Sequence, residues 1–205
     1  MIVRKMTMFV GLLVCILSAA ISVMACACCV DPGYYQISTG RPTDYELATL
    51  EEIKFDGVGN LYESEAGFDG IKGLDVFRKF EETATPFDLN VVEKFLNKAW
   101  TFTLKSGANE GTLFLPMSQT MVRFKVDLHD NEPGTETGLY KELRFKGVVR
   151  SGTGLFRMDV VKPTSYFLVF QGRGNGCDSS ADYTHWRLEL SGPRAGYALF
   201  GKLLP

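Results

Sequence analysis

The residues of this chain best suited to chemistry lie in one stretch, Gly172 to Trp186. Asp178, Ser179, Ser180 and His185 are the types that supply an orienting carboxylate, a nucleophile and a base in a hydrolase. Such a nucleophile needs a sharp strand-to-helix elbow, and no G-x-S-x-G surrounds either serine. His185 alternates with Trp186, so the two point to opposite faces of any strand they share. The glycines of the stretch could cradle a phosphate only ahead of a helix N-terminus, and the residues after them read as a strand. Gly172 to Asp182 is therefore expected to be a polar hairpin loop, and a hydrolase using residues 172–186 is the third of three functional readings.

Metal chemistry finds little support. The chain has 2 histidines, too few for a multi-histidine site. His129 stands among Asp127, Asp130 and Glu132, but the spacing is not that of an EF-hand loop, and Leu128 is expected to face the core. Glu63 and Glu65 read as chance neighbours rather than a glycosidase pair. Cys26-Ala-Cys28-Cys29 lacks the paired C-x-x-C units of a zinc site. No metal and no cofactor are expected.

The cysteines speak to compartment instead. Arg4 and Lys5 precede an almost wholly apolar run, Met6 to Met24, and small residues lead to Ala25-Cys26. This is the layout of a secretory signal peptide, predicted over residues 1–25; a retained membrane anchor is the alternative. Val23-Met24-Ala25-Cys26 resembles a bacterial lipobox, which implies a diacylglycerol-modified Cys26 and membrane attachment through it. Ordinary cleavage at the same bond would leave Cys26, Cys28, Cys29 and Cys177, an even set able to form two disulfides. Both readings stand open. In either, Cys177 is expected to pair with Cys28 or Cys29, a bridge worth about 2–4 kcal/mol. The protein is thus expected to be exported: a periplasmic or cell-envelope lipoprotein, or secreted.

Removing residues 1–25 from 205 leaves 180, enough for one domain with a sizeable core. The loss of Arg4 and Lys5 moves the formal charge from −2 to −4. A mildly acidic chain without a basic run is a poor nucleic-acid binder. Residues 26–205 are read as a single domain.

The elements that must position any site are mostly strands. From Ala99 to Leu204, apolar and polar residues alternate with period two. Trp100, Phe102 and Leu104 form one apolar face; Val122, Phe124, Val126 and Leu128 form another. Leu139, Leu143, Phe145 and Val149 form a third, on which Lys141 is the exception. Phe156, Met158 and Val160 suggest a further strand, and so do Trp186, Leu188 and Leu190. Tyr166 to Phe170 and Tyr197 to Leu204 are apolar on both faces. Turns are expected at Ser106–Gly111, Asn131–Gly134, Ser151–Gly154 and Ser191–Gly196, where Gly, Asn and Pro supply turn conformations.

Upstream, Tyr34 to Ser38 is a short strand. Thr43 and Glu46 make a capping box opening a helix that ends near Leu50. The competing reading is a strand through Thr49–Phe55, hairpinned by Asp56–Asn60 onto Leu61–Ser64, and the two are compatible in part if the helix ends near Leu50. A loop over Ala66–Gly73, a short helix over Asp75–Glu82 and a strand over Asn90–Asn97 complete the reading.

Sequential hairpins make antiparallel neighbours. The fold class is therefore all-β: an antiparallel up-and-down barrel with one or two short helices, or a two-sheet sandwich. In architecture alone it is similar to lipocalin- and avidin-like barrels. The inward aromatics either fill the interior or line a cavity for a small apolar or amphipathic ligand. Trp100, Phe124, Phe145 and Trp186 are the candidate lining residues, with Lys141 to orient the ligand. The first functional reading is a non-enzymatic exported barrel that binds such a ligand. The second is a structural or interaction module of the cell envelope with a filled core.

Overall fold

The computed structural model describes residues 33–61, 88–128, 138–175 and 178–205. The protein is all-β, with eleven strands among the described residues, numbered in chain order. They are β1 (Tyr35–Gly40), β2 (Lys54–Leu61), β3 (Asp88–Phe95), β4 (Ala99–Ser106), β5 (Asn109–Pro116), β6 (Met121–Val126), β7 (Leu139–Val148), β8 (Ser151–Gly154), β9 (Ser165–Gly174), β10 (Tyr183–Ser191) and β11 (Gly196–Leu204). Among the described residues there is one α-helix, α1 (Asp44–Glu52), between β1 and β2, and one 3₁₀ turn, Ser180–Asp182, before β10.

Every pairing is antiparallel, and the ladder runs β1-β6-β7-β9-β10-β11-β2-β3-β4-β5-β8. Its hydrogen bonding has two ends among the described residues, β1 and β8. The ladder folds across itself, so that strands far apart in its order pack face to face. Trp100 on β4 meets Phe145 on β7 with ring centroids 4.8 Å apart, and Phe102 meets Trp186 on β10 at 5.8 Å. Phe55 on β2 bridges Phe102 and Trp186, each at 5.3 Å. Offset and edge-on contacts at these distances add to the burial of the rings themselves. Leu104, Leu113, Leu168, Leu188 and Leu199 fill the spaces between them, all fully buried.

Local chemistry explains the elements. Thr43 Oγ1 accepts from the Glu46 N–H, and Glu46 Oε2 accepts from the Thr43 N–H at 2.7 Å, so the capping box forms as expected. The helix runs to Glu52, two residues past Leu50. Asn97 and Lys98 turn β3 into β4 with φ of 53° and 57°, and Leu96 and Ala99 exchange both backbone hydrogen bonds across them. Gly107, with φ 58°, does the same work between β4 and β5.

Four sequence expectations change. Asp56–Asn60 is not a hairpin but the middle of β2, which pairs along β11. Ser151–Gly154 is not a turn but β8, in register with Gly111–Phe114 of β5. The turn falls later, over 155–159, in place of the expected strand through Phe156 and Met158; Phe156 is still buried, but Met158 is exposed. The fourth is β6, whose faces are inverted. Alternation alone puts Phe124 inside with Val122, Val126 and Leu128; instead Met121, Arg123 and Lys125 face inward, and Leu128 is exposed. The reason is register. Met121 lies opposite Phe145, Arg123 opposite Leu143 and Lys125 opposite Lys141, and residues directly opposite share a face. The expected loop at Ala66–Gly73, the helix at Asp75–Glu82 and the turn at Asn131–Gly134 lie outside the described residues.

Candidate functional site

Of the residues expected to line a ligand cavity, Trp100, Phe145 and Trp186 are at most 1% exposed and pack against one another and their neighbours. Phe124 is not among them. It lies half-buried on the outer face, stacked on Tyr35 of β1 and edge-on to Tyr140 of β7, with the Arg144 guanidinium 4.9 Å from its ring.

Lys141 is where the structure gathers charge. Its strand places it inward, and it is 1% exposed. Its Nζ lies 2.6 Å from Asp182 Oδ2 and 3.5 Å from Asp178 Oδ1. Lys125, opposite it on β6, reaches the same Asp178 oxygen at 3.2 Å. That oxygen is buried between the two ammonium groups. Asp182 Oδ2 also accepts from the Ser179 N–H at 3.2 Å, which closes the 3₁₀ turn over the ammonium.

A second pair adjoins. Arg123 of β6 binds Glu46 of α1 through two nitrogens, and its Nη2 also donates to the Arg41 carbonyl at 3.0 Å. Burial pushes the Glu46 carboxyl up, but the hydrogen bonds from Arg123 and Thr43 outweigh it and hold the carboxyl below its usual range. The helix also grips the 178–182 segment directly. The Tyr45 hydroxyl donates to the Asp178 carbonyl, and the Ser180 hydroxyl to Glu52 Oε2 at 3.1 Å. Tyr183 is buried beside this cluster; burial first, then Asp178, drives its hydroxyl well above the usual tyrosine range.

The cluster pairs three cations, Arg123, Lys125 and Lys141, with three carboxylates, Glu46, Asp178 and Asp182. Such an arrangement clamps α1 and the 178–182 segment onto β6 and β7. Asp178 is held by lysines, Ser180 by Glu52, and His185 Nδ1 by Thr184 Oγ1 at 2.9 Å on an exposed face. Among the described residues no hydrogen bond joins His185 to Asp178, Ser179 or Ser180. Among the described residues no group of three or more His, Cys, Asp or Glu could hold a metal ion. Cys26, Cys28, Cys29 and Cys177 lie outside the described residues, and so does His129.

Sequence reasoning singles out Lys141 but misses its partners. Alternation puts Arg123 and Lys125 on the solvent face of β6, and Asp182 in a loop. One signal is available: a lysine on an otherwise apolar strand face calls for carboxylates nearby, because an isolated buried ammonium is too costly. No family model, curated protein or solved structure matches the chain.

Proposed function

We propose that this chain is a non-enzymatic, exported β-domain with a filled interior that acts at its surface, as an interaction module of the cell envelope. The observation that carries this reading is the pairing of a ring-packed interior with an exposed apolar face at one end of the ladder. On that face, three strands contribute aligned rows: Tyr35, Val126 and Tyr140; Ile37, Phe124 and Glu142; Thr39, Val122 and Arg144. Tyr35 is 68% and Ile37 53% exposed. Outside β1 the ladder has no further strand among the described residues. An apolar outer face beside an open strand edge suits a protein partner that adds a strand.

Barrel-like closure is part of the proposal. Leu139 to Gly154 is one bent run whose first half pairs with β9 and whose second half pairs with β5, bridged by Arg150 N–H donating to the Phe114 carbonyl at 3.0 Å. Export rests on the leader-like residues 1–25, and either a lipidated Cys26 or a disulfide from Cys177 to Cys28 or Cys29 would tether the N-terminal side of β1.

The test is a photo-reactive residue at position 37, irradiated in the native host. A discrete adduct that disappears in Tyr35→Lys protein, while circular dichroism stays unchanged, supports the reading. Labelling no stronger than from exposed position 202 refutes it. A native mass spectrum showing a ligand lost on denaturation, with Trp100 or Trp186 variants unable to carry it, would replace it with the internal-ligand reading. The denatured mass reports acyl chains on Cys26.

A further inference from the structure

A groove of about 250 Å³ opens where the start of α1 meets the β3–β4 turn and the end of β5. Its apolar part is Pro42, Leu47 and Met117; Leu47 and Met117 also pack on the hydrophobic core. Its charged part is Arg41 and Lys98, which reach it from distant points of the chain. Neither has an ion-pair partner among the described residues. We propose that this groove binds a small amphipathic anion, a carboxylate on a short alkyl chain, with the chain on Leu47 and Met117 and the carboxylate between Arg41 and Lys98. This site is independent of the partner surface proposed above.

Three features support a built site. Both cations stand on fixed backbone: the Arg41 carbonyl accepts from Arg123 Nη2 at 3.0 Å, and the Lys98 carbonyl accepts from the Met117 N–H at 2.8 Å. Lys98 holds φ at 57°, in the second position of a two-residue turn where glycine is the unstrained choice. Lys98 thus lines the groove from a strained turn position. The charge is also complementary in kind, because a guanidinium binds a carboxylate through two parallel hydrogen bonds while an ammonium adds a point charge. The capping box already occupies the Thr43 and Glu46 N–H groups at the start of α1.

The experiment titrates sodium octanoate into the full chain while the backbone amide resonances of Met117 and Ser118 are followed. Saturable shifts confined to the groove are expected. Arg41→Gln and Lys98→Gln should each weaken affinity at least about tenfold, the loss of a charged partner for the carboxylate. Lys105→Gln, which removes the cation paired with Glu110 at the other end of β4, should leave affinity unchanged. Lys98→Gly separates binding from folding: it should raise the urea midpoint and still weaken octanoate. Octylammonium binding as tightly as octanoate would overturn the proposal. So would affinity unchanged in both glutamine variants, or acetate shifting the same resonances equally, which means an adventitious ion only.

Discussion

Lys141→Met removes the ammonium at the centre of the buried cluster while nearly conserving volume. At an effective dielectric of about 20, a contact of 2.6 Å is worth about 6 kcal/mol and one of 3.5 Å about 5 kcal/mol. Most of this is offset by the cost of burying the ammonium, so the attraction is not the net stability. What decides the mutant is the fate of the partners. Removing one member of a buried pair typically costs about 3–5 kcal/mol because the other charge is stranded. Here Asp178 and Asp182 keep 11% and 17% side-chain exposure, and Lys125 still faces Asp178. Water and Lys125 relieve part of the cost, which places the expected loss at the lower end, about 3 kcal/mol. For a chain of this size that corresponds to a fall of about 6–12 °C in Tm. Urea denaturation followed by tryptophan fluorescence measures it. Adding Asp182→Asn should cost less than it does alone, because the carboxylate it removes has already lost its partner. A loss below about 1 kcal/mol, or strictly additive effects, would refute the view that this cluster clamps α1 and the 178–182 segment to the sheet.

Other contacts carry further expected outcomes. Glu46→Gln should cost about 1–3 kcal/mol at neutral pH through the lost charge-assisted bonds to Arg123. The carboxyl is depressed in the fold, so its stabilisation is present above its unfolded value near 4.5 and disappears as pH falls through the lower folded value; wild type and variant should converge in acid urea titrations. Phe145→Ala should cost about 3–5 kcal/mol, whereas Phe124→Ala should cost clearly less in the same denaturation assay, because only the first ring is fully buried. Equal costs would contradict the inverted faces of β6. Gly154→Ala should destabilise by more than about 1 kcal/mol in thermal melts: φ is 53°, and a Cβ there would lie 1.9 Å from the Glu110 carbonyl oxygen. Burial holds the Tyr166 hydroxyl up to about 12, so ultraviolet titration should show it ionising late or only as the fold opens at high pH.

What the sequence determined was local. Thr43 and Glu46 specify the helix start because a capping box needs only four consecutive residues. Period-two alternation specified β4, β7 and β10 with their inward residues, because each has one face that is mainly apolar. Gly107 and the Ser191–Gly196 segment marked real hairpin turns for the same short-range reason.

The tertiary structure decided which face of β6 is buried. Val122-Arg123-Phe124-Lys125-Val126 alternates cleanly whichever face turns in, and the pattern alone favoured the apolar one. Pairing with β7 sets Lys125 against Lys141, and Asp178 and Asp182 make that buried charge tolerable. Those carboxylates lie 37 and 41 residues beyond Lys141 in the chain, outside the reach of any short pattern. The charged cluster therefore became visible only when the fold brought α1, β6, β7 and the 178–182 segment together.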